Sequence, residues 1–389
     1  MNADKTAMNA ERTAAMTAER TMSTDKTRRS QIDADCGNLA RGAAILGTGG
    51  GGDPYIGRLL AEAAIRKHGP VPLVAVDDLD PDAVVIPVAM MGAPTVMVEK
   101  LASQGQFAQA VNSLARYLGV TPTHIACIEA GGVNSTIPIV AAAELGLPLI
   151  DGDGMGRAFP EIQMVLPSIY GVRATPMSIC DEKGNSGIFD TVDNAWAERL
   201  ARPATVEMGC STIISTYAMS GAQVRESYVP GTLSLCDQLG AEVMSARAAH
   251  RDPVAAVAEL LHGRLLAGGK VTDVERRTTS GFARGRATIE GVGPDAGRSV
   301  VLQFQNEHLL VELDGTAETS TPDLIMVLDA ETAEPVTTES LRYGMRVRVV
   351  TAPSDPRWHS DEALALVGPR YFGYELDPVR FDGTRGVAA

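Results

Sequence analysis

Two aspartates flank one glycine in the run Asp151-Gly152-Asp153-Gly154-Met155-Gly156-Arg157. In an extended segment alternate residues project the same way, so this spacing can bring both carboxyls to one point. Neighbouring carboxylates push their pKa values apart and leave one as base and one as acid. Such a pair can activate a water for attack on an sp² carbon and protonate the group that departs. The plainer role for either aspartate alone is a helix cap or an Asx-turn. Taken with the glycines and Arg157, the run reads as a site. Glu129-Ala130-Gly131-Gly132-Val133-Asn134 supplies a further carboxyl and an amide. Arg157 is placed either to clamp a substrate carboxylate with its planar fork or to pair with Glu161 one helical turn on.

Gly47-Thr48-Gly49-Gly50-Gly51-Gly52 satisfies G-x-G-x-x-G ahead of an expected helix, and Asp77-Asp78 ends a later strand. Most of a dinucleotide fingerprint is therefore present. Against it, residues 41–46 make a poor first strand, and the Asp53 carboxylate would occupy the anion site at the helix start. A loop that brings the backbone of Gly50, Gly51 and Gly52 against a small substrate is the stronger reading. A nicotinamide-dependent oxidoreductase using Gly47–Gly52 and Asp77 is the alternative. His68, His124, His250, His262, His308 and His359 form no H-x-H or H-x-x-x-H pair, so a self-contained zinc motif is absent. His124 and His308 are candidates to join a carboxylate-rich metal site through the fold. The cofactor is thus unspecified, and a divalent metal ion is compatible with the carboxylates. Cys180 beside Asp181 has no adjacent base and reads as a buried thiol.

These residues need elements that bring them together. Asp53-Pro54 reads as a cap and first helical position, opening a helix that closes at Gly69. Residues 38–46 form a short apolar helix or strand. Residues 72–76, 83–91, 124–128 and 147–150 read as buried strands, the first two dense in Val and Ile. Helices are expected over 95–118, 137–144, 231–247 and 254–266. This β-α-β order implies right-handed crossovers and at least partly parallel pairing. The strand ends at Met91-Gly92, Glu129–Asn134 and Asp151–Asp153 then share one edge, where open α/β sheets bind ligands. Beyond Gly268 short strands over 271–277, 285–291, 299–305, 309–313, 324–328, 345–350 and 364–367 alternate with Gly, Pro and Asp. That spacing predicts a small β-barrel or sandwich.

The chain has 389 residues, 45% hydrophobic and 21% charged, which is enough for two globular domains of roughly 100–200 residues each. We expect an α/β domain over 32–265 carrying the site, a β-barrel domain over 266–380 and a tail at 381–389. Residues 1–31 stand apart: MNADKT, MNAERT, MTAERT and MSTDKT start at Met1, Met8, Met16 and Met22. The repeat stretch holds no Leu, Val or aromatic side chain to bury, so it reads as a disordered tail. Lys and Arg total 34 against 48 for Asp and Glu, a net charge of −14, which disfavours nucleic acid and membrane surfaces as partners. No apolar run nears the ~18 residues of a membrane span. Five scattered cysteines without C-x-x-C, and no signal-peptide pattern at the start, point to a reduced, cytoplasmic setting.

Several blocks together resemble the S-methyl thiohydantoin desulfurase family. They are G-T-G-G-G-G-D-P (47–54), E-A-G-G-V-N-S (129–135) and D-G-D-G-M-G-R-A-F-P-E (151–161), then G-F-A-R-G (281–285), Q-N-E (305–307), P-D-L-I (322–325), L-R-Y-G (341–344) and G-P-R-Y-F-G-Y (368–374). The resemblance runs from about Asp33 to Asp377. It implies a three-layer α/β/α domain joined to a β-barrel domain, and chemistry on a five-membered hydantoin-like ring with hydrolytic loss of sulfur from C2. It also implies neighbours of the hydantoinase and oxoprolinase type, so a non-catalytic partner subunit of a hydantoinase is a second alternative.

The expected enzyme is a hydrolase and homo-oligomer acting on a small cyclic substrate. Asp151 or Asp153 is the general base, and Glu129 or the partner aspartate is the acid. Backbone N–H groups of Gly50–Gly52 and of Gly131 and Gly132 stabilise developing negative charge. Asn134 bonds the ring amide and Arg157 holds a carboxylate tail.

Overall fold

Nearly every residue of Val84–Gly92 is apolar, and the segment is a strand whose alternate residues feed two different cores. The protein is seen in a computed structural model that describes residues 29–92, 96, 100, 103, 105–279 and 282–383. The repeat tail up to residue 28, the end of the C-terminal tail and much of 93–104 in the expected 95–118 helix lie outside these described residues. From Gln31 onward the chain forms one unit.

The first part runs β1 (Gln31–Ile32), α1 (Gly37–Leu46), α2 (Tyr55–His68), β2 (Val71–Ala75), β3 (Val84–Gly92), α3 (Gln106–Leu118), β4 (His124–Cys127), α4 (Ile137–Leu145) and β5 (Leu149–Asp153). It continues through α5 (Leu166–Ile169), β6 (Met177–Cys180), β7 (Ser186–Phe189), α6 (Asn194–Glu207), β8 (Ser211–Ser215), β9 (Met219–Ser220), α7 (Gly221–Ser227), β10 (Val229–Pro230), α8 (Thr232–Ala248) and α9 (Pro253–Leu260). The strands form one mixed ten-stranded sheet, ordered β1-β2-β5-β4-β3-β8-β6-β7, with β10 on β5 and β9 on β3. The central strands β2, β5, β4 and β3 are parallel. Ile86, Val88 and Met90 of β3 enter one core with Ile125 and Cys127 of β4. Val85, Ala89 and Met91 enter another with Ala126 and Ile150. Burial on both faces explains the unbroken apolar runs that mark these strands in the sequence. Helix α4 is apolar from Ile137 through Ala143 and is buried over that stretch, as a helical segment without a polar face must be.

Helices α1 and α8 meet backbone to backbone. A methyl added at Gly42 would lie 1.8 Å from the Cys236 carbonyl oxygen, and one at Gly240 would lie 2.0 Å from that of Asn38. Only reciprocal glycines allow this approach. Residues 38–46, left open between helix and strand, are thus helical. The glycine run that follows joins helix α1 to helix α2, so the strand–turn–helix frame of a dinucleotide fingerprint is missing.

The second part holds β11 (Arg264–Thr279), β12 (Phe282–Gly291), β13 (Ser299–Gln305), β14 (Glu307–Leu313), β15 (Thr316–Ser320), β16 (Leu324–Asp329) and β17 (Arg346–Ala352), then α10 (Asp361–Val367). The strands make one antiparallel seven-stranded sheet, ordered β15-β14-β13-β12-β11-β17-β16. It curls into a half-barrel around Val271, Ile289, Leu302, Val311, Ile325 and Val347. Two expectations are corrected here. The helix placed over 254–266 stops at Leu260, because Arg264 already pairs with Thr351 in the sheet. Residues 364–367 are the end of a helix rather than a strand: the Ser360 hydroxyl caps it by accepting from the Ala363 N–H, with Asp361 and Glu362 in the first turn.

Candidate active site

The parallel strands bring the carboxyl ends of β3, β4 and β5 to one edge, as their order in the sequence predicts. A cleft of about 290 Å³ opens there, lined by Met90, Met91 and Gly92 after β3 and by Ile128, Glu129, Val133 and Asn134 after β4. Gly49–Gly52 form another wall. The opposite wall comes from the second sheet, through Ala283, Asn306, Glu307, Thr337, Thr338 and Glu339. Phe159, Ile162 and Ile214 give it apolar surface, while Glu161, Glu198 and Arg202 give it charge. Glu198 and Arg202 pair with each other.

The glycine loop is fixed by backbone contacts on every side. Val133 N–H donates to the Gly51 carbonyl at 2.9 Å, and Thr338 N–H to that of Gly49 at 2.8 Å. A methyl on Gly132 would sit 2.1 Å from the Gly51 carbonyl oxygen, and one on Gly131 would sit 2.7 Å from Ala158 Cβ. Gly51 and Gly132 also hold positive φ, +69° and +58°, where a side chain is strained. Gly131 and Gly132 thus interlock with the loop beneath the cleft wall. The Gly50 N–H is spent on the Gly47 carbonyl.

Neither Asp151 nor Asp153 lines the cleft, and the two bond to different groups. Asp151 accepts from Ser234 N (3.0 Å) and Ser234 Oγ (2.6 Å) in the first turn of α8, where a carboxylate meets the positive helix end. Asp153 accepts from the N–H groups of Ala130 (2.8 Å), Met155 (3.1 Å) and Gly156 (2.9 Å). Burial raises its carboxyl to about 6, against the pull of these backbone donors. Arg157 is fully buried and spends its guanidinium on the protein. It donates to the carbonyls of Pro322 (2.7 Å), Asp323 (2.9 Å), Ala158 (3.0 Å) and His308 (3.4 Å) and to Thr48 Oγ1 (2.9 Å). Its charge rests over the Phe159 ring at 4.4 Å. Glu161, the other expected partner, bonds instead to Tyr371 Oη at 2.8 Å.

Glu129 and Asn134 are where the sequence puts them, in the cleft. Asn134 Oδ1 accepts from Met90 N at 2.7 Å, and Nδ2 donates to Glu129 Oε1 at 2.6 Å. Glu129 Oε2 has no hydrogen-bond partner among the described residues. Burial holds this carboxyl up at about 8, Asn134 draws it down, the Asp153 charge pushes it up again, and the Phe159 N–H draws it down slightly.

Across from it stands Glu307, absent from the expected site. It is 2% exposed and its Oε2 is likewise unpartnered. Burial raises it to about 8. The facing Glu129 charge adds to this, while Arg157 and the N–H groups of Glu307 and Gly51 pull the other way. Asn306, in the left-handed region at φ +57°, joins β13 to β14 and aims the next residue inward. The hint in the sequence was a polar Gln305-Asn306-Glu307-His308 run between apolar strands.

Two buried carboxyls that face each other in a low-dielectric cleft cannot both ionise near neutral pH. The pair can hold one proton and one charge, the requirement for paired acid and base work. No group of three or more His, Cys, Asp or Glu side chains among the described residues is arranged to hold a metal ion. His308 is buried and neutral, its ring lowered to about 3 by burial and by Arg157. The Cys180 thiol is raised to about 11, chiefly by burial. No helix among the described residues is long and apolar enough to cross a membrane.

Comparison with known proteins bears on both fold and family. A crystal structure of a protein from Chromobacterium violaceum matches 90% of this chain and 100% of its own, with a TM-score of 0.76 and 23% identity; at that identity the likeness is one of fold. No curated protein matches. The family model for the S-Me-THD-like N-terminal domain matches residues 34–191, and that for the S-Me-THD-like C-terminal domain matches 192–381. With both models matched in order over the part of the chain that builds the cleft, the chain belongs to the S-Me-THD-like family, that of the S-methyl thiohydantoin desulfurases.

Proposed function

We propose that the protein is a hydrolase that removes the sulfur substituent from C2 of an S-alkylated thiohydantoin or a closely related five-membered ring. Membership of the S-Me-THD-like family supports the ring. The observation that carries the reaction type is the facing pair Glu129 and Glu307, each with one oxygen unclaimed by the protein. One carboxylate takes a proton from water as the water oxygen bonds to C2. The other, protonated, supplies the proton that the ring nitrogen needs as the C2=N bond becomes single. Collapse of the tetrahedral carbon then forms C2=O and breaks the C–S bond, and the thiolate leaves as a thiol. One water is consumed and one thiol released.

In this reading the base is one of the two glutamates, and Asp151 and Asp153 hold the scaffold. Arg157 ties the second sheet to the first instead of gripping a substrate tail. The apolar surface of Met90, Met91 and Phe159 suits an uncharged ring and excludes bulk water, which strengthens the carboxyl pair.

The test is turnover of S-methyl thiohydantoin in ¹⁸O-labelled water. Thiol release should be matched by one labelled oxygen in the hydantoin product. Glu129→Gln and Glu307→Gln should each slow turnover by about 10²–10⁴-fold. Release of thiol without label at C2 would refute water attack. Failure of the isolated protein to release thiol, with activity restored by a hydantoinase-type partner, would favour the partner-subunit alternative.

A further inference from the structure

The two carboxyls of the cleft are not equivalent, and groups behind them make the difference. Asn134 receives the Met90 N–H on Oδ1 at 2.7 Å and sends Nδ2 towards the Met90 carbonyl at 3.3 Å. Reversing the amide would set donor against donor and acceptor against acceptor, so the backbone of β3 fixes which end faces Glu129. That end is a donor, bonded to Oε1. A proton on Glu129 therefore resides on Oε2, the oxygen without a protein partner.

Charges of opposite sign stand behind the two. Asp153 bonds the N–H of Ala130, the residue next to Glu129. Arg157 reaches the carbonyl of His308, the residue next to Glu307. A carboxylate at the back of one glutamate favours its neutral form, and a guanidinium at the back of the other favours its anion. The Cys127 thiol near Glu129 is kept protonated by burial, and the Glu129 charge, when present, raises Glu307 across the cleft.

We infer that Glu129 is the proton donor of the pair, delivering from Oε2, and that Glu307 is the base. Asn134 and Asp153 are positioning residues for the acid, and Arg157 for the base. The inference rests on the ring-hydrolysis reading only for what receives the proton. In the first step Glu307 takes a proton from water while Glu129 protonates the ring nitrogen. In the second the roles exchange: ionised Glu129 takes the hydroxyl proton as C2=O forms, and Glu307 protonates the departing thiolate. Both carboxyls return to their starting states.

Carboxyl-¹³C glutamate reports this without any substrate. The resonance that titrates above neutral pH should vanish in Glu129→Gln. In Glu307→Gln it should persist with a lower midpoint, because the facing charge is gone. Persistence in Glu129→Gln and loss in Glu307→Gln overturns the assignment. A second arm reads kcat/KM against pH in Asp153→Asn, which removes the charge behind Glu129. The basic limb should move down by about one unit or more while the acidic limb stays. Movement of the acidic limb instead would make Glu129 the base and overturn the inference. Should no thiohydantoin be turned over while the high-pH resonance belongs to Glu129, the assignment stands and the ring reading falls.

Discussion

Gly50→Ala displaces Glu307 without altering it, and so tests whether that carboxyl belongs to the reaction. Gly50 lies outside the left-handed region, so the backbone accepts alanine. The new methyl would meet Glu307 Oε1 at 2.0 Å and Cδ at 2.4 Å, where ordinary contact begins at 3.4 Å. The carboxyl must therefore withdraw by about 1.4 Å, the first distance subtracted from the last. A misplacement on the order of 1 Å costs about 10²-fold in turnover, or ~2.7 kcal/mol of barrier. Crowding of this kind lowers stability by about 1–3 kcal/mol. Gly132→Ala is the control. Its methyl would lie 2.1 Å from the Gly51 carbonyl oxygen at a φ of +58°. Backbone cannot swing aside as a side chain can, and the left-handed conformation adds about 1–2 kcal/mol. Thiol release across a range of S-methyl thiohydantoin concentrations, beside thermal melting, reads both variants. Gly50→Ala should melt slightly early and turn over about a hundredfold more slowly, whereas Gly132→Ala should fail to fold. Near-normal turnover in a folded Gly50→Ala protein would remove Glu307 from the machinery.

Asp151→Asn should melt lower by about 1 kcal/mol, the value of a charge at a helix start, with turnover nearly intact. A large fall in turnover at unchanged melting temperature would return Asp151 to the chemistry. Glu129 is raised to about 8 in the fold from an unfolded value of about 4.3. Between these values the folded state binds the extra proton, so stability is full at low pH and falls as pH rises through 8. Glu129→Gln should therefore flatten the loss of stability between about pH 5 and 8 in denaturant titrations. Arg157→Met should cost about 3 kcal/mol or more, because buried carbonyls lose their donor; a change confined to KM would instead mark Arg157 as a substrate clamp.

The positions of the strand ends were legible in the sequence because period and composition report burial, and Val84–Gly92 is buried on both faces. Which carboxyls reach the cleft was not legible. Asp151 and Asp153 have the spacing of a pair, but the N–H groups that claim them belong to Ser234, Ala130 and Gly156. Only the folded chain brings those donors there. Glu307 is the reverse case: its local mark is a short polar run between apolar strands, and its character comes from burial against a glycine loop far away in the sequence. The helix ending at Val367 was misread because four apolar residues carry no period, although Ser360-Asp361-Glu362 ahead of them is a start signal.

The pairing of β3 with β8 has a consequence for anyone who cuts this chain. Five residue pairs, Val88 with Ser215 through Gly92 with Ser211, join the two strands, and they fall on opposite sides of the border between the two family models at 191 and 192. A fragment ending there would carry β3 as a naked apolar edge, the kind of surface that recruits other chains into aggregates. The wall of the cleft formed by Met90 and Met91 would unravel with it. The boundary that sequence comparison draws is thus a seam in ancestry and not in the material, and expression of either half by itself should yield inclusion bodies instead of a smaller working module.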